Sequence, residues 1–104
     1  MRILLDENMP AKVNYDFGEE HEVRSVKDMK WLGKKNGELL GLAAFNGFDI
    51  VITLDKNLEK VSLKFFVLLA KNNKPEVIQP FVEKIKTLLI NSSELPKLTE
   101  VSLD

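Results

Sequence analysis

Acidic side chains follow two short apolar runs in this sequence, and such side chains could bind a divalent metal ion. Asp6 comes directly after the run Ile3–Leu5, and Asp55 comes directly after a second run that ends at Leu54. In open parallel sheets, ligands bind beyond the carboxyl ends of the strands, near the point where the strand order reverses. If the two runs form neighbouring strands, the carboxylates of Asp6 and Asp55 converge on one crevice.

A third acid, Glu38, lies at the front of a predicted helix that leads back into the sheet, so it could reach the same crevice. Three carboxylates in one cleft repel each other, and a divalent cation removes that cost. Oxygen ligands suit Mg²⁺ or Mn²⁺. A metal ion held in this way activates water and neutralises charge on a phosphoryl group. Phosphodiester hydrolysis is therefore the reaction that best matches these residues.

Each acid also has a purely structural interpretation. Asp6 could cap a helix that opens at Pro10, and Asp55 could be a turn residue, since Asp favours turns. Glu38 could simply complement the helix dipole. The placement of Asp6 and Asp55, each directly after a predicted buried strand, favours the functional interpretation.

The lysines close to these acids also have two possible roles. They precede Glu38 or follow Asp55, and are Lys27, Lys30, Lys34, Lys35, Lys56 and Lys60. They could line the rim of the crevice and hold phosphate groups without reading base sequence. They could equally be solvated surface charges, and the sequence leaves both possibilities open.

The surrounding pattern predicts the strands that would position these residues. Near-continuous apolar runs at 49–54 and 64–70 indicate strands covered on both faces, which is typical of a parallel sheet. Shorter runs at 3–5, 21–26 and 99–103 predict three more strands, the last at an edge. The single histidine, His21, precedes one of these strands and is expected to be exposed, which makes it a weak catalytic candidate.

Helical spacing predicts the connecting elements. Met9, Val13 and Phe17 indicate a helix over 10–17, and a second helix is expected over 38–46 with Asn36 as its N-cap. A third helical region starts at 73–75, and Pro80 is expected to restart it. The order β-α-β-α-β-β-α-β predicts an open, mostly parallel α/β sheet with helices on both faces and a central first strand.

Composition limits the class of protein. The chain has 104 residues, which fits one domain spanning 1–104. It has no cysteine, which excludes disulfides and zinc–thiolate sites and suits a reducing cytoplasm. The net charge of −1 gives no global attraction to nucleic acid, although a nuclease can combine an acidic pocket with a local basic rim. No apolar run is long enough to span a membrane, so we expect a soluble cytoplasmic protein.

Several blocks of the sequence, taken together and in order, resemble a bacterial PIN-like domain family of unknown function, whose members resemble VapC-type toxin ribonucleases. The resemblance covers nearly the whole chain. It rests on the blocks RILLDENMP, HEVRSVKDMKW, GKKNGELLGLA, GFDIVITLDKNL and FVLLAKNNKPEVIQPFVEKIKTLL. It implies a PIN-like fold, a ribonuclease dependent on Mg²⁺ or Mn²⁺, a cognate antitoxin-like small protein as partner, and a possible homodimer.

The resemblance also assigns residues. Asp6, Glu38 and Asp55 match the three acids of the family's catalytic and metal-binding cluster. Asn57 stands where such nucleases commonly have a fourth acid, and it can ligate a metal only through a neutral oxygen. The segment after Leu58 is shorter than in related sequences. Both departures bear on whether the site cleaves RNA.

Two other functional classes remain open. One is a catalytically weakened binding module that acts through a partner protein, as Asn57 and the short segment suggest. The other is a receiver-like phospho-acceptor domain, in which Asp55 would accept the phosphoryl group. Receiver domains place a Ser or Thr after the fourth strand, whereas the corresponding run here ends in Ala70 and Lys71.

Overall fold

Five strands and two helices make up the described part of the chain. The computed structural model describes residues 1–10, 13, 17–34, 36–54, 63–91 and 94–103. None of the helices in these ranges has the length and apolar character needed to cross a membrane. Along the chain the elements are β1 (Arg2–Leu5), β2 (Glu22–Ser25), α1 (Asn36–Phe45), β3 (Ile50–Thr53), β4 (Lys64–Leu68), α2 (Pro75–Leu89) and β5 (Leu98–Val101).

The strands form one open sheet in the order β2-β1-β3-β4-β5, and every neighbouring pair is parallel. The predicted α/β class is confirmed, and the sheet is more regular than the mostly parallel one expected. β1 lies between two strands, but β3 occupies the middle position, so the prediction of a central first strand was wrong. The strand order reverses between β1 and β3, which makes that pair the switch point of the sheet.

Helix α1 covers one face of the sheet, which we call the α1 face. Its residues Leu39, Leu40 and Ala43 are buried against Leu4 and Val51 of the sheet. Trp31 and Phe48 extend this cluster, with ring centroids 6.0 Å apart in an edge-to-face arrangement. The helix begins at Asn36, the residue predicted to be its N-cap.

Helix α2 covers the opposite face, which we call the α2 face. Its buried stripe packs on Ile3, Leu5, Ile52 and Phe66, and consists of Ile78, Phe81, Val82, Ile85 and Leu89. Met9, Val13 and Phe17 join the same cluster, as their spacing predicted. Most of the helix expected over 10–17 falls outside the described residues.

Pro80 does not restart the last helix. It lies inside one continuous helix, α2, of 15 residues. A proline at this position removes one internal hydrogen bond. The helix continues because the buried stripe on its other side is anchored in the core, while Pro80 itself is exposed.

The connection from β4 to β5 has the opposite hand to the connection from β2 to β3. The chain moves across the sheet in the same direction from β2 to β3 and from β4 to β5. It crosses the α1 face in the first case and the α2 face in the second. Parallel crossovers nearly always share one hand. Among the described elements α2 covers the apolar side chains of β3 and β4 on the α2 face, and this burial accounts for its position.

Arg2 fastens α1 to the amino edge of the sheet, where the strands begin. Its backbone N–H donates to Asp49 Oδ2 at 2.9 Å, and its guanidinium donates to the carbonyl oxygen of Asn46 at the end of α1. The guanidinium also lies 4.4 Å from the ring centroid of Phe48. Gly47, which stands between Asn46 and Phe48, makes the turn after α1 with φ of +80°. The last turn of α1 is thereby held at the amino edge.

Candidate functional site

Asp6 is held in one orientation at the carboxyl end of β1. Its backbone N–H donates to Ile52 O at 3.1 Å, which continues the ladder between β1 and β3. Its Oδ2 accepts a hydrogen bond of 2.8 Å from the Thr53 hydroxyl, and its Oδ1 accepts one of 2.7 Å from the Glu7 backbone N–H. The carboxylate is half-buried at the switch point, so it remains accessible to a ligand.

The strand register explains why Asp6 and Thr53 meet. Leu5 pairs with Ile52, so the residues that follow them, Asp6 and Thr53, lie side by side. Leu5 and Ile52 pack into the α2 face. Because side chains alternate along a strand, Asp6 and Thr53 point to the α1 side. Thr53 is only 2% exposed, so its hydroxyl is a fixed donor to the carboxylate.

Thr53 is a site residue that the sequence analysis missed. It stands in the apolar run 50–54, where it is easily taken for an ordinary β-branched strand residue. Pairing that run in parallel with 3–5 would have placed it next to Asp6. The polar hydroxyl at the carboxyl end of a buried strand was the available signal.

Glu38 lies at the same edge of the sheet and on the same side as Asp6. It is in the first turn of α1, whose last turn Arg2 holds at the amino edge. A helix of 10 residues is about 15 Å long, so its first turn reaches the carboxyl edge. The Glu38 carboxylate already accepts a hydrogen bond of 3.0 Å from Lys34 Nζ.

The ion pair between Lys34 and Glu38 joins two residues that were predicted to have separate roles. Lys34 was expected to hold a phosphate group, and Glu38 was expected to bind a metal ion. Their side chains are 35% and 60% exposed, so the pair is close to solvent and contributes little to stability. Either role therefore requires the pair to open, at modest cost.

The other predicted site residues lie outside the described part of the chain. These residues are Lys35, Asp55, Lys56 and Asn57. Within the described ranges, no three acidic, histidine or cysteine side chains are grouped so that they could hold a metal ion. Only Asp6 and Glu38 of the four predicted ligands fall in those ranges, so the complete cluster stays a prediction.

The chemistry of Asp6 fits a hard divalent cation. A carboxylate has about four acceptor positions. The hydrogen bonds from Thr53 and Glu7 use one position on each oxygen. Both oxygens therefore keep acceptor capacity for a ligand. Mg²⁺ and Mn²⁺ prefer oxygen donors that are already oriented by neighbours, and Asp6 offers such a donor.

The loop after Asp6 is tied to the segment that leads into α2. The side-chain amide of Asn73 donates to the backbone carbonyl of Asn8 at 2.8 Å. Asn73 belongs to the stretch Lys71–Lys74, which connects β4 to α2 at the carboxyl edge. This hydrogen bond places two exposed lysines, at the ends of that stretch, beside the loop that begins at Asp6.

His21 lies at the opposite edge of the sheet and is more buried than predicted. It precedes β2, so it belongs to the amino edge. Its Nδ1 atom is buried and has no hydrogen-bond partner within the described ranges. Burial lowers the pKa of His21, and the positive charges of the N-terminus and Lys86 lower it further, against an opposing effect of Glu20. Its position separates it from Asp6.

The comparisons with known proteins add no relative. Neither a protein-family model, nor a curated protein, nor a solved structure matches this chain. Function is therefore inferred from the geometry of the carboxyl edge and from the residues that the sequence places there.

Proposed function

We propose that this protein is a divalent-metal-dependent ribonuclease of PIN-like type, acting as the toxin-like component of a toxin–antitoxin pair. The observation that carries the proposal is the half-buried carboxylate of Asp6, held by the Thr53 hydroxyl at 2.8 Å at the switch point of a parallel sheet. Ligands bind at this place in open α/β sheets. An oriented carboxylate there is suited to an ion that contacts phosphate.

Four residues would hold the ion, and each would contribute an oxygen atom. They are Asp6, Glu38, Asp55 and Asn57. Mg²⁺ or Mn²⁺, when bound, would supply an activated water molecule and charge neutralisation at the phosphoryl group. The protein's own contribution is to fix the position of the acids. Thr53 does this for Asp6, and the first turn of α1 does it for Glu38.

The positive side chains near the acids would position the substrate. Lys34, once released from Glu38, together with Lys35 and Lys56, would contact phosphate groups of RNA. A cognate antitoxin-like protein would cover the same edge of the sheet. The resemblance to PIN-like toxins is the only support for a homodimer.

The decisive experiment measures metal binding and RNA cleavage in the same set of variants. Wild-type protein is expected to give a calorimetric signal with Mn²⁺ and to cleave a fluorescent single-stranded RNA when Mg²⁺ or Mn²⁺ is present. Asp6→Asn and Asp55→Asn should lose both properties. Asp49→Asn is the matched control, because Asp49 is a carboxylate at the amino edge of the same sheet.

Two results would contradict the proposal. Cleavage that persists in Asp6→Asn and Asp55→Asn with added chelator would come from a different site or a contaminant. Absence of any Mn²⁺ or Mg²⁺ binding by the wild-type protein would remove the metal site itself. Equal loss of activity in Asp49→Asn would show that general destabilisation, and not the acidic edge, is being measured.

A catalytically weakened binding module is the second candidate, and one contact favours it. Glu38 is already paired with Lys34, so the acids at this edge are partly neutralised within the protein. Such a module would bind Mn²⁺ weakly, through Asp6, and would act through its partner. Metal binding without cleavage, together with retention of the partner by Asp6→Asn, would distinguish this function from the nuclease.

The receiver-like alternative is weaker. The strand order β2-β1-β3-β4-β5 is the order found in flavodoxin-like folds, to which receiver domains belong. In a regular fold of that order, the helix between β4 and β5 would cover the same face as α1. Here α2 covers the other face. Failure of a small phosphodonor to label the protein would exclude this alternative.

A further inference from the structure

The carboxyl edge of β4 and β5 holds a cavity that neither the acids nor the predicted lysines account for. Its volume is about 230 Å³. It lies where the chain leaves β4 and β5 and where α2 begins. Five apolar residues and two polar ones line it: Leu69, Ala70, Val77, Phe81, Leu103, Lys71 and Ser102.

We propose that this cavity receives a nucleobase of single-stranded RNA, and that Lys71 and Lys74 hold the adjoining phosphate groups. The inference rests on the proposed ribonuclease function and adds to it a substrate class and a binding subsite. These two lysines are distinct from those named from the sequence as possible phosphate contacts, and of those Lys34 is already paired with Glu38.

The cavity is suited to a flat, largely apolar group. Phe81 and Val77 form its wall along α2, and Leu69 and Leu103 are respectively 39% and 50% exposed. Exposed apolar side chains around a depression lose contact with water when a ring enters it. Single-stranded nucleic acid is bound in this way, by apolar or aromatic surfaces beside a positively charged track.

The positive charge beside the cavity is available to a ligand. Lys71 and Lys74 are exposed and take part in no ion pair with any described residue, whereas Lys34 is paired with Glu38. Between 69 and 81 the sequence contains one carboxylate, Glu76. The first turn of α2 adds the partial positive charge of a helix N-terminus.

The position relative to Asp6 fits a single strand crossing the edge. The hydrogen bond from Asn73 to Asn8 holds the stretch 71–74, with its two lysines, beside the loop that follows Asp6. β4 is two strands away from β1, so the carboxyl ends of these two strands lie about 10 Å apart along the sheet. Asp6 points to the α1 side and the cavity lies on the α2 side, so the oligonucleotide would pass over the carboxyl edge between them. A short oligonucleotide spans both places. The base would occupy the cavity while a neighbouring phosphate lies at Asp6.

The test is binding of a fluorescein-labelled oligouridylate, measured by anisotropy in EDTA across a range of salt concentrations. Single-stranded contacts contribute about 0.7 each to the slope of log affinity against log salt. Lys71→Gln/Lys74→Gln should therefore flatten the slope by about 1.4 and weaken binding. Lys64→Gln/Lys97→Gln removes the same number of charges at the amino edge of β4 and β5, and its slope should stay close to the wild-type value.

Inorganic polyphosphate of matched charge serves as the second probe, because it has phosphates but no bases. If the cavity holds a base, polyphosphate should compete poorly with the oligouridylate. Leu69→Ser and Leu103→Ser should weaken binding of the oligouridylate and leave binding of polyphosphate unchanged. Equal competition by polyphosphate would overturn the base subsite.

Three further results would overturn the proposal. The first is no binding of oligouridylate by the wild-type protein at low salt. The second is an equal slope change in the two lysine pairs, which would mean unspecific attraction. The third is a dimer that Leu103→Ser converts to a monomer with RNA binding unchanged, which would assign the cavity to a second copy of the chain.

The subsite and the ribonuclease proposal can fail separately. Binding that depends on Lys71 and Lys74, without any metal-dependent cleavage, supports the subsite and counts against the nuclease. Metal-dependent cleavage, together with oligouridylate binding that is unchanged in Lys71→Gln/Lys74→Gln, overturns the subsite and supports the nuclease.

Discussion

Replacing Thr53 with Val tests whether the hydroxyl of Thr53 orients Asp6. Valine keeps the shape and removes the 2.8 Å hydrogen bond to the carboxylate. Hydrogen bonds to charged groups contribute about 1.5–3 kcal/mol when fully buried. Asp6 is only half-buried and keeps the N–H of Glu7, so we expect the free energy of unfolding to fall by about 1–2 kcal/mol.

The assay is urea unfolding followed by the fluorescence of Trp31, the only tryptophan and one that is 9% exposed. The unfolding midpoint should fall by about 0.5–1 M. A double-mutant cycle with Asp6→Ala isolates the pair and should give a coupling energy of about 1 kcal/mol. If Asp6 binds Mn²⁺, Thr53→Val should also weaken that binding by about tenfold.

The control is Thr99→Val. The hydroxyl of Thr99 is buried and has no hydrogen-bond partner among the described residues. Its removal should leave the unfolding midpoint unchanged or raise it, since an unpaired buried hydroxyl is costly. The reasoning is refuted if Thr53→Val unfolds at the wild-type urea concentration, or if both variants lose the same stability.

Two other predictions concern the amino edge of the sheet and can be measured by the same unfolding assay. Gly47→Ala should cost about 1–2 kcal/mol, because φ is +80°, a backbone conformation that L side chains rarely adopt. Gly41→Ala, in open space on α1, should instead stabilise by about 0.5–1 kcal/mol; equal effects would contradict the explanation. Because folding lowers the pKa of His21, the imidazole takes up a proton more readily in the unfolded chain than in the folded protein. The free energy of unfolding should therefore decrease as the pH falls from 6.5 through the folded-state pKa of His21. His21→Gln should remove that part of the pH dependence, and an unchanged slope would assign it to other groups.

The sheet was predictable because burial on both faces leaves a direct trace in sequence. IVIT and KFFVL are apolar at all but one position each, and both form interior parallel strands. The same reasoning located Asp6, since a polar residue directly after such a run must lie at the carboxyl end of a strand. The general α/β class follows from these runs and the helices between them.

The remaining features depend on contacts between distant residues. The role of Thr53 requires the register between β1 and β3, which no local pattern specifies. The continuous α2 depends on tertiary burial that outweighs the local effect of Pro80. The ion pair between Lys34 and Glu38 is a local i, i+4 contact that the sequence could have indicated. The predictions for Asp55 and Asn57 concern residues outside the described ranges.

The all-parallel sheet also has a consequence for the order in which the chain folds. No two neighbouring strands can pair as a hairpin, so every pairing closes a long loop. The shortest closure joins Ile50 to Lys64, and the longest in the sheet joins Ile3 to Ile50. Loop closure is slower and entropically costlier as separation grows. During synthesis, β1 emerges first but must wait for β3, so Asp6 acquires its Thr53 partner only after half of the chain has been made.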